Sequence, residues 1–173
     1  DRTPRRRLGV RIRYVREPEP LGTVGGVRLA DAAFDAPFLV INGDLLTKVN
    51  FEHLLEFHRA HGWAITMGVN EYAVRIPYGI VHLSNGQAVA FEEKPLEKHL
   101  INAGIYVLEP WVRELIPEGR YFDMTDFIKA VGERGGLVGG FPIHEYWLDI
   151  GAHGDYERSP SEYEQYFRDR VPT

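Results

Sequence analysis

Two acidic segments, far apart in the chain, have the make-up of a site that handles metal and phosphate. Pro37-Phe38-Leu39-Val40-Ile41-Asn42-Gly43-Asp44 is an apolar run that ends in a small turn and a carboxylate. Trp147-Leu148-Asp149-Ile150-Gly151 again puts an aspartate at the end of an apolar stretch, two residues before glycine. In an α/β sheet, ligands collect beyond the carboxyl ends of the strands, so Asp44 and Asp149 would converge on one crevice. Two carboxylates plus substrate phosphates are what Mg2+ prefers, because the ion keeps part of its water shell and seldom takes an all-protein cage. Asn-Gly-Asp is also a favoured turn, which would explain Asp44 by itself. The pair is what points to a metal.

Glu92-Glu93-Lys94-Pro95 is the next constellation. A lysine before a proline at a strand exit cannot continue the ladder and is turned toward the sheet end, where its ammonium can meet a phosphate. Glu93 beside it can accept hydrogen bonds from sugar hydroxyls; the plainer alternative is an exposed ion pair. Leu21-Gly22-Thr23-Val24-Gly25-Gly26 is a glycine-rich turn ahead of a helix, open enough for backbone amides to approach a base or phosphate. It has neither Walker nor GxGxxG spacing. His53, His58 and His61 share one predicted helix without HExxH spacing, and His58 and His61 fall on its wet face, so zinc is not supported. No Gly-x-Ser-x-Gly occurs, which leaves a serine hydrolase without its nucleophile.

Periodicity supplies the elements that must position these residues. Val10 to Arg16 alternates as a half-buried strand, and Gly25 to Phe34 reads as a short helix. Phe38 to Asn42 is a continuous apolar strand of the kind buried on both faces. The amphipathic helix that starts after Asn50 closes at Gly62. Strands follow at Ala64 to Val69, Gly79 to Leu83 and Ala88 to Glu92, the last two joined by the hairpin turn Ser84-Asn85-Gly86. Ile101 to Leu108 is another strand. Trp111 to Ile116 and Thr125 to Arg134 read as helices, the second with Asp123 placed to satisfy its free amides. Strands near Leu137 to Phe141 and Tyr146 to Asp149 precede a final helix opened by Ser159-Pro160-Ser161-Glu162. The order describes a doubly wound, Rossmann-like α/β domain with a mixed sheet and a small β-rich insertion.

With 173 residues, 44% hydrophobic and 12% aromatic, the chain is long enough for one domain with a sizeable core. A net charge of −5 argues against a nucleic-acid partner, and the arginines near the start read as a solvated strand face. No apolar stretch is long enough for a membrane span, and the absence of cysteine suits a reducing compartment, so a cytoplasmic location is expected.

Taken together, the motifs resemble the sugar-1-phosphate nucleotidyltransferases, in particular the mannose-1-phosphate guanylyltransferase-like and glucose-1-phosphate thymidylyltransferase-like members. Six matches run in order: Leu21-Gly22-Thr23 with the glycines after it, Asn42-Gly43-Asp44, Pro77-Tyr78-Gly79, Glu92-Glu93-Lys94-Pro95, Asn102-Ala103-Gly104-Ile105-Tyr106, and Trp147-Leu148-Asp149-Ile150-Gly151. The resemblance implies that Asp44 and Asp149 bind Mg2+, and that Glu93 and Lys94 contact the sugar and its phosphate. It also implies that Gly79 and Asn102 face the sugar and that Leu21, Gly22 and Thr23 lie around the base. Asp44, Lys94 and Asp149 would be the catalytic residues. The partners implied are a nucleoside triphosphate and a sugar 1-phosphate, with self-association left open. Family members begin with a strand and a Gly-Gly-x-Gly-Thr-Arg-Leu type loop that holds the triphosphate, followed by Pro-Lys. Neither is present, so residues 1–173 read as the C-terminal two-thirds of a catalytic domain. The alternatives are a non-catalytic piece that binds sugar nucleotide or a partner chain, and a glycosyltransferase. The latter is disfavoured because Leu45 and Leu46, rather than an Asp-x-Asp, follow Asp44.

Overall fold

The computed structural model describes residues 12–30, 34–151 and 153–168. Its centre is a four-stranded mixed sheet in the order β1-β6-β3-β7, formed by β1 (Phe38–Ile41), β3 (Ile65–Arg75), β6 (Leu96–Leu108) and β7 (Val138–Pro142). β6 runs antiparallel to both of its neighbours, and β3 pairs with β7 in parallel. Two further pairs lie outside it: β2 (Leu45–Thr47) with β8 (Trp147–Asp149), and the hairpin β4 (Gly79–Ser84) with β5 (Gln87–Glu93).

Helices cover both faces of the sheet, and β6 makes the two layers visible because its side chains alternate between them. Ile105 and Val107 pack with Leu54 of helix α2 (Phe51–His61). Tyr106 and Leu108 pack with Phe127 and Val131 of helix α3 (Met124–Glu133). Helix α2 starts where expected: the Asn50 carboxamide accepts the N–H groups of Glu52 and His53, and Gly62 ends the helix at φ 62°. The hairpin turn is also as expected, with Asn85 and Gly86 both at positive φ.

Several expectations are corrected. The described part of the first predicted strand, Ile12 to Arg16, forms no strand; Tyr14 and Val15 are exposed, so no buried face holds it. Val10, Arg11 and the earlier arginines lie outside the described residues. The helix predicted from Gly25 begins earlier, as a turn of helix α1 (Gly22–Gly25), and continues as a 3-10 turn only to Leu29. Trp111 to Ile116 is likewise a 3-10 turn, over Pro110–Leu115. His58 is fully buried rather than wet: Nδ1 lies 2.8 Å from Thr66 Oγ1 and Nε2 lies 3.2 Å from Glu109 Oε1. Its neighbours on β3 and after β6 complete both ring nitrogens, which a single-helix projection cannot reveal.

The last helix, α4, spans His153–Phe167 with Pro160 inside it, instead of starting at Ser159. Proline cannot bond the carbonyl four residues back, but the Ser159 hydroxyl donates to that carbonyl, Tyr156 O, at 2.8 Å. The residue read as a cap repairs the helix instead.

Strands β3 and β6 each run well past their predicted limits. Met67 pairs with Tyr106 and Val69 with Asn102, so Gly68 stands opposite Ala103, Gly104 and Ile105 in a wide bulge. Beyond it the two strands continue as an exposed arm, Glu71–Arg75 against Leu96–Leu100, which leads into the β4–β5 hairpin.

Candidate active site

Asp44 lies between the end of β1 and the start of β2, and Asp149 is the last residue of β8. Leu45 is register partner to Asp149, and the Ile150 N–H donates to Asp44 O at 2.8 Å, so backbone pairing brings the two aspartates together. The Gly151 N–H donates to Asp149 Oδ1 at 2.8 Å. A methyl group built on Gly151 would meet Asp44 Oδ2 at 2.8 Å and Asp149 Oδ1 at 3.0 Å. Both carboxylates therefore border the space that a side chain at position 151 would fill, and glycine keeps it open.

Two clefts open here and share Asp44. One, of about 460 Å³, is lined by Thr23, Ile41, Asn42, Gly43 and Asp44. The other, of about 470 Å³, takes in Asp44, Trp147, Asp149, Gly151 and Arg158, with Tyr72 of β3 and Ile101 of β6. Arg158 carries a fixed positive charge into the second cleft; it was not singled out in the sequence, because nothing in its neighbourhood on α4 resembles a phosphate motif.

The β6 bulge anchors both aspartate segments. Gly104, at φ 69°, accepts the Asn42 N–H at 2.9 Å, and Ala103 O accepts the Trp147 indole N–H at 2.9 Å. Asn102 shapes the bulge itself: its Oδ1 accepts the Gly104 N–H at 3.0 Å, and its amide donates to the Tyr106 hydroxyl. Burial holds the Tyr106 phenol above its usual pKa, so this hydroxyl stays protonated.

The remaining predicted residues fall into two places. Leu21 is 1% exposed and packs into the interior, while Thr23 reaches the first cleft. Gly22, between them, sits at φ 77°. Asp123 does not cap α3; its Oδ1 accepts from Thr23 instead, and the Thr23 hydroxyl accepts the Met124 N–H. Gly79 and Glu93 are register partners on the β4–β5 hairpin, and Lys94 Nζ lies 3.7 Å from Glu93 Oε1. Lys94 has φ 45°, a left-handed conformation that costs a non-glycine residue energy, and its carbonyl accepts from Arg75 at 3.3 Å. Neither cleft beside Asp44 includes Gly79, Glu93, Lys94 or Asn102.

The model of the nucleotidyl transferase family matches residues 3–166. The chain belongs to this family. The chain is 32% identical over 174 residues to a mannose-1-phosphate guanylyltransferase catalytic subunit beta of Xenopus tropicalis, covering 96% of this chain and 48% of the relative. A mannose-1-phosphate guanyltransferase of Aspergillus fumigatus is 36% identical over 155 residues, covering 85% and 42%. The chain thus spans about half the length of the curated relatives it matches. Its fold is that of HddC from Yersinia pseudotuberculosis, with TM-score 0.58 and 24% identity over 85% of this chain and 64% of the other. It also matches a Bacillus anthracis protein described as a glucose-1-phosphate thymidylyltransferase, with TM-score 0.61 and 19% identity over 91% and 65%. The Rossmann-like mixed sheet expected from the sequence is the fold these structures share. No described helix is long and apolar enough to cross a membrane.

Proposed function

We propose that the complete protein transfers a nucleotidyl group from a nucleoside triphosphate to a sugar 1-phosphate, releasing pyrophosphate. The observation that carries this reading is the approach of Asp44 and Asp149 to one glycine-lined space at the mouth of the sheet. The attacking oxygen belongs to a phosphate that is already anionic near neutral pH, so no general base is needed. Alignment and charge neutralisation around the α-phosphorus are then the main tasks.

The donor chemistry fits Mg2+: two hard carboxylates and the open position at Gly151, which leaves room for substrate phosphate and water. When bound, the ion would offset phosphate charge. Asp44 and Asp149 would hold it, and the main-chain pairing of β2 with β8 keeps the two segments side by side. Trp147 and Leu148 form an apolar wall of the second cleft beside Asp149. Glu93 and Lys94 are assigned to sugar and sugar phosphate by motif resemblance. Both stand at the end of β5 and line neither cleft beside Asp44. The names of the curated relatives favour mannose 1-phosphate and a guanine nucleotide as first substrates to try.

The test is pyrophosphate release by the complete protein, screened over nucleoside triphosphates and hexose 1-phosphates with and without Mg2+. Release should require both substrates and the metal, and Asp44→Ala should lower it by at least about a hundredfold without unfolding the protein. Near-normal turnover by that variant would reject the metal role of Asp44.

A further inference from the structure

Thr23 lies in the cleft beside Asp44, yet what fixes it comes from elsewhere in the chain. Asp123 Oδ1 accepts both the Thr23 N–H, at 3.2 Å, and the Thr23 hydroxyl, at 3.4 Å. In return the Thr23 hydroxyl accepts the Met124 N–H at 2.8 Å, so it caps a helix to which it does not belong. The second oxygen of Asp123 is held as well: Tyr121 donates to Oδ2 at 2.9 Å. That bond raises the Tyr121 pKa and, with the Thr23 contacts, engages both oxygens of the carboxylate.

The surrounding backbone makes the same junction. Phe122 N–H donates to Leu21 O at 2.8 Å, and Val24 N–H donates to Phe122 O at 3.2 Å. A methyl group on Gly22 would come within 2.7 Å of Phe122 O and 2.9 Å of Asp123 Oδ1. The two segments approach more closely than a side chain there would allow. An aspartate at the start of a helix ordinarily serves the amides of its own first turn. Asp123 has given up that role to hold a residue of the cleft.

We propose that Asp123 is the positioning residue for the nucleotide side of the cleft: it sets the Leu21-Gly22-Thr23 segment beside Asp44 and withdraws both hydrogen-bond donors of Thr23 from the ligand. Thr23 then meets the nucleotide by van der Waals contact and as an acceptor, so a ligand atom that needs a donor must find it elsewhere. The inference rests on the transfer reading given above.

The experiment uses the complete protein, with nucleotide affinity read by calorimetry and both Michaelis constants read by pyrophosphate release. Loss of two hydrogen bonds to a carboxylate predicts that Asp123→Ala raises nucleotide Kd and KM by roughly tenfold or more, with kcat and the sugar 1-phosphate KM within about threefold of wild type. Asp123→Asn keeps an oxygen acceptor for Thr23 and should restore nucleotide affinity. Asp123→Ser is competent as a cap but too short to reach Thr23, so it should behave like Ala and serves if Ala fails to fold. Unchanged nucleotide affinity in the Ala or Ser variant overturns the proposal, as does an equal loss toward both substrates. If the wild type binds nucleotide but releases no pyrophosphate, the transfer reading falls, and the Kd comparison still decides the role of Asp123. If it binds no nucleotide, both fall.

Discussion

From Ile65 to Val69, strand β3 is packed between helical layers, whereas every residue from Glu71 to Arg75 of the same strand is exposed; β6 repeats the pattern in reverse. The inner halves carry Ile65, Ile105, Val107 and Leu108, all fully buried. The outer halves and the β4–β5 hairpin carry Tyr72, Val81, Leu83, Phe91 and Leu100, all exposed. One pair of strands therefore passes through two environments, and the bulge at Ala103–Gly104 marks the change. The bulge is also where both aspartate segments attach, so the site lies on the boundary between a body that supplies stability and an arm that contributes little to it.

The comparison is broken most directly by removing the same side chain from each region. Phe127 of α3 is 0% exposed and Phe91 of the hairpin 73%. Phe127→Ala should cost about 3–5 kcal/mol, the sum of lost transfer free energy and a residual cavity. Phe91→Ala should change stability by less than about 0.5 kcal/mol. Urea unfolding of the two variants checks both, and equal losses would show that the arm is part of the cooperative core.

At the boundary itself, Gly104→Ala should destabilise by about 1–3 kcal/mol, because the residue has φ 69° and a methyl group there would lie 2.7 Å from the Asn42 side-chain nitrogen, Nδ2. As Asn42 leads directly into Asp44, the variant should also weaken metal-dependent turnover. A loss of stability with unchanged turnover would separate the bulge from the site.

The smallest effect concerns α4 and the β2–β8 pair. Burial, and then the hydrogen bond to Glu162 at 2.9 Å, push the Tyr146 phenol up to about 12. The unfolded chain loses this proton near pH 10, so the stability supplied by the protonated phenol is complete below that value and is lost as pH rises toward about 12. Tyr146→Phe removes the titrating group and should flatten the alkaline fall in the urea midpoint. An identical fall in both proteins would assign it to other groups.

Legibility followed the same boundary except at the β4–β5 hairpin, which its Ser84-Asn85-Gly86 turn made readable although its strands are largely exposed. Helices α2 and α3 could be read because burial imposes a period on the sequence, and Phe38 to Ile41 because it is a continuous apolar run closed by turn residues, although this edge strand is only half-buried and Ile41 is exposed rather than covered on both faces. The predicted strand over β3 stops at Val69 and that over β6 begins at Ile101, both just outside the bulge, since farther along the arm neither face is buried and alternation carries no signal. Asp44 and Asp149 were recognisable from strand-end position, and the fold brings their carboxylates together at Gly151. The partnership of Thr23 with Asp123 was not recognisable, because two residues a hundred positions apart leave no local pattern. His58 was misread for a related reason: what buries it comes from β3 and the end of β6.

Trp147 shares strand β8 with Asp149 and lines the cleft, whereas the other two tryptophans, Trp63 and Trp111, border a depression at the opposite end of β3. Its indole is tethered to Ala103 O and faces the space a substrate would enter. The molecule thus contains its own optical reporter: with Trp63 and Trp111 replaced by phenylalanine, the remaining fluorescence would track filling of the cleft without any attached dye.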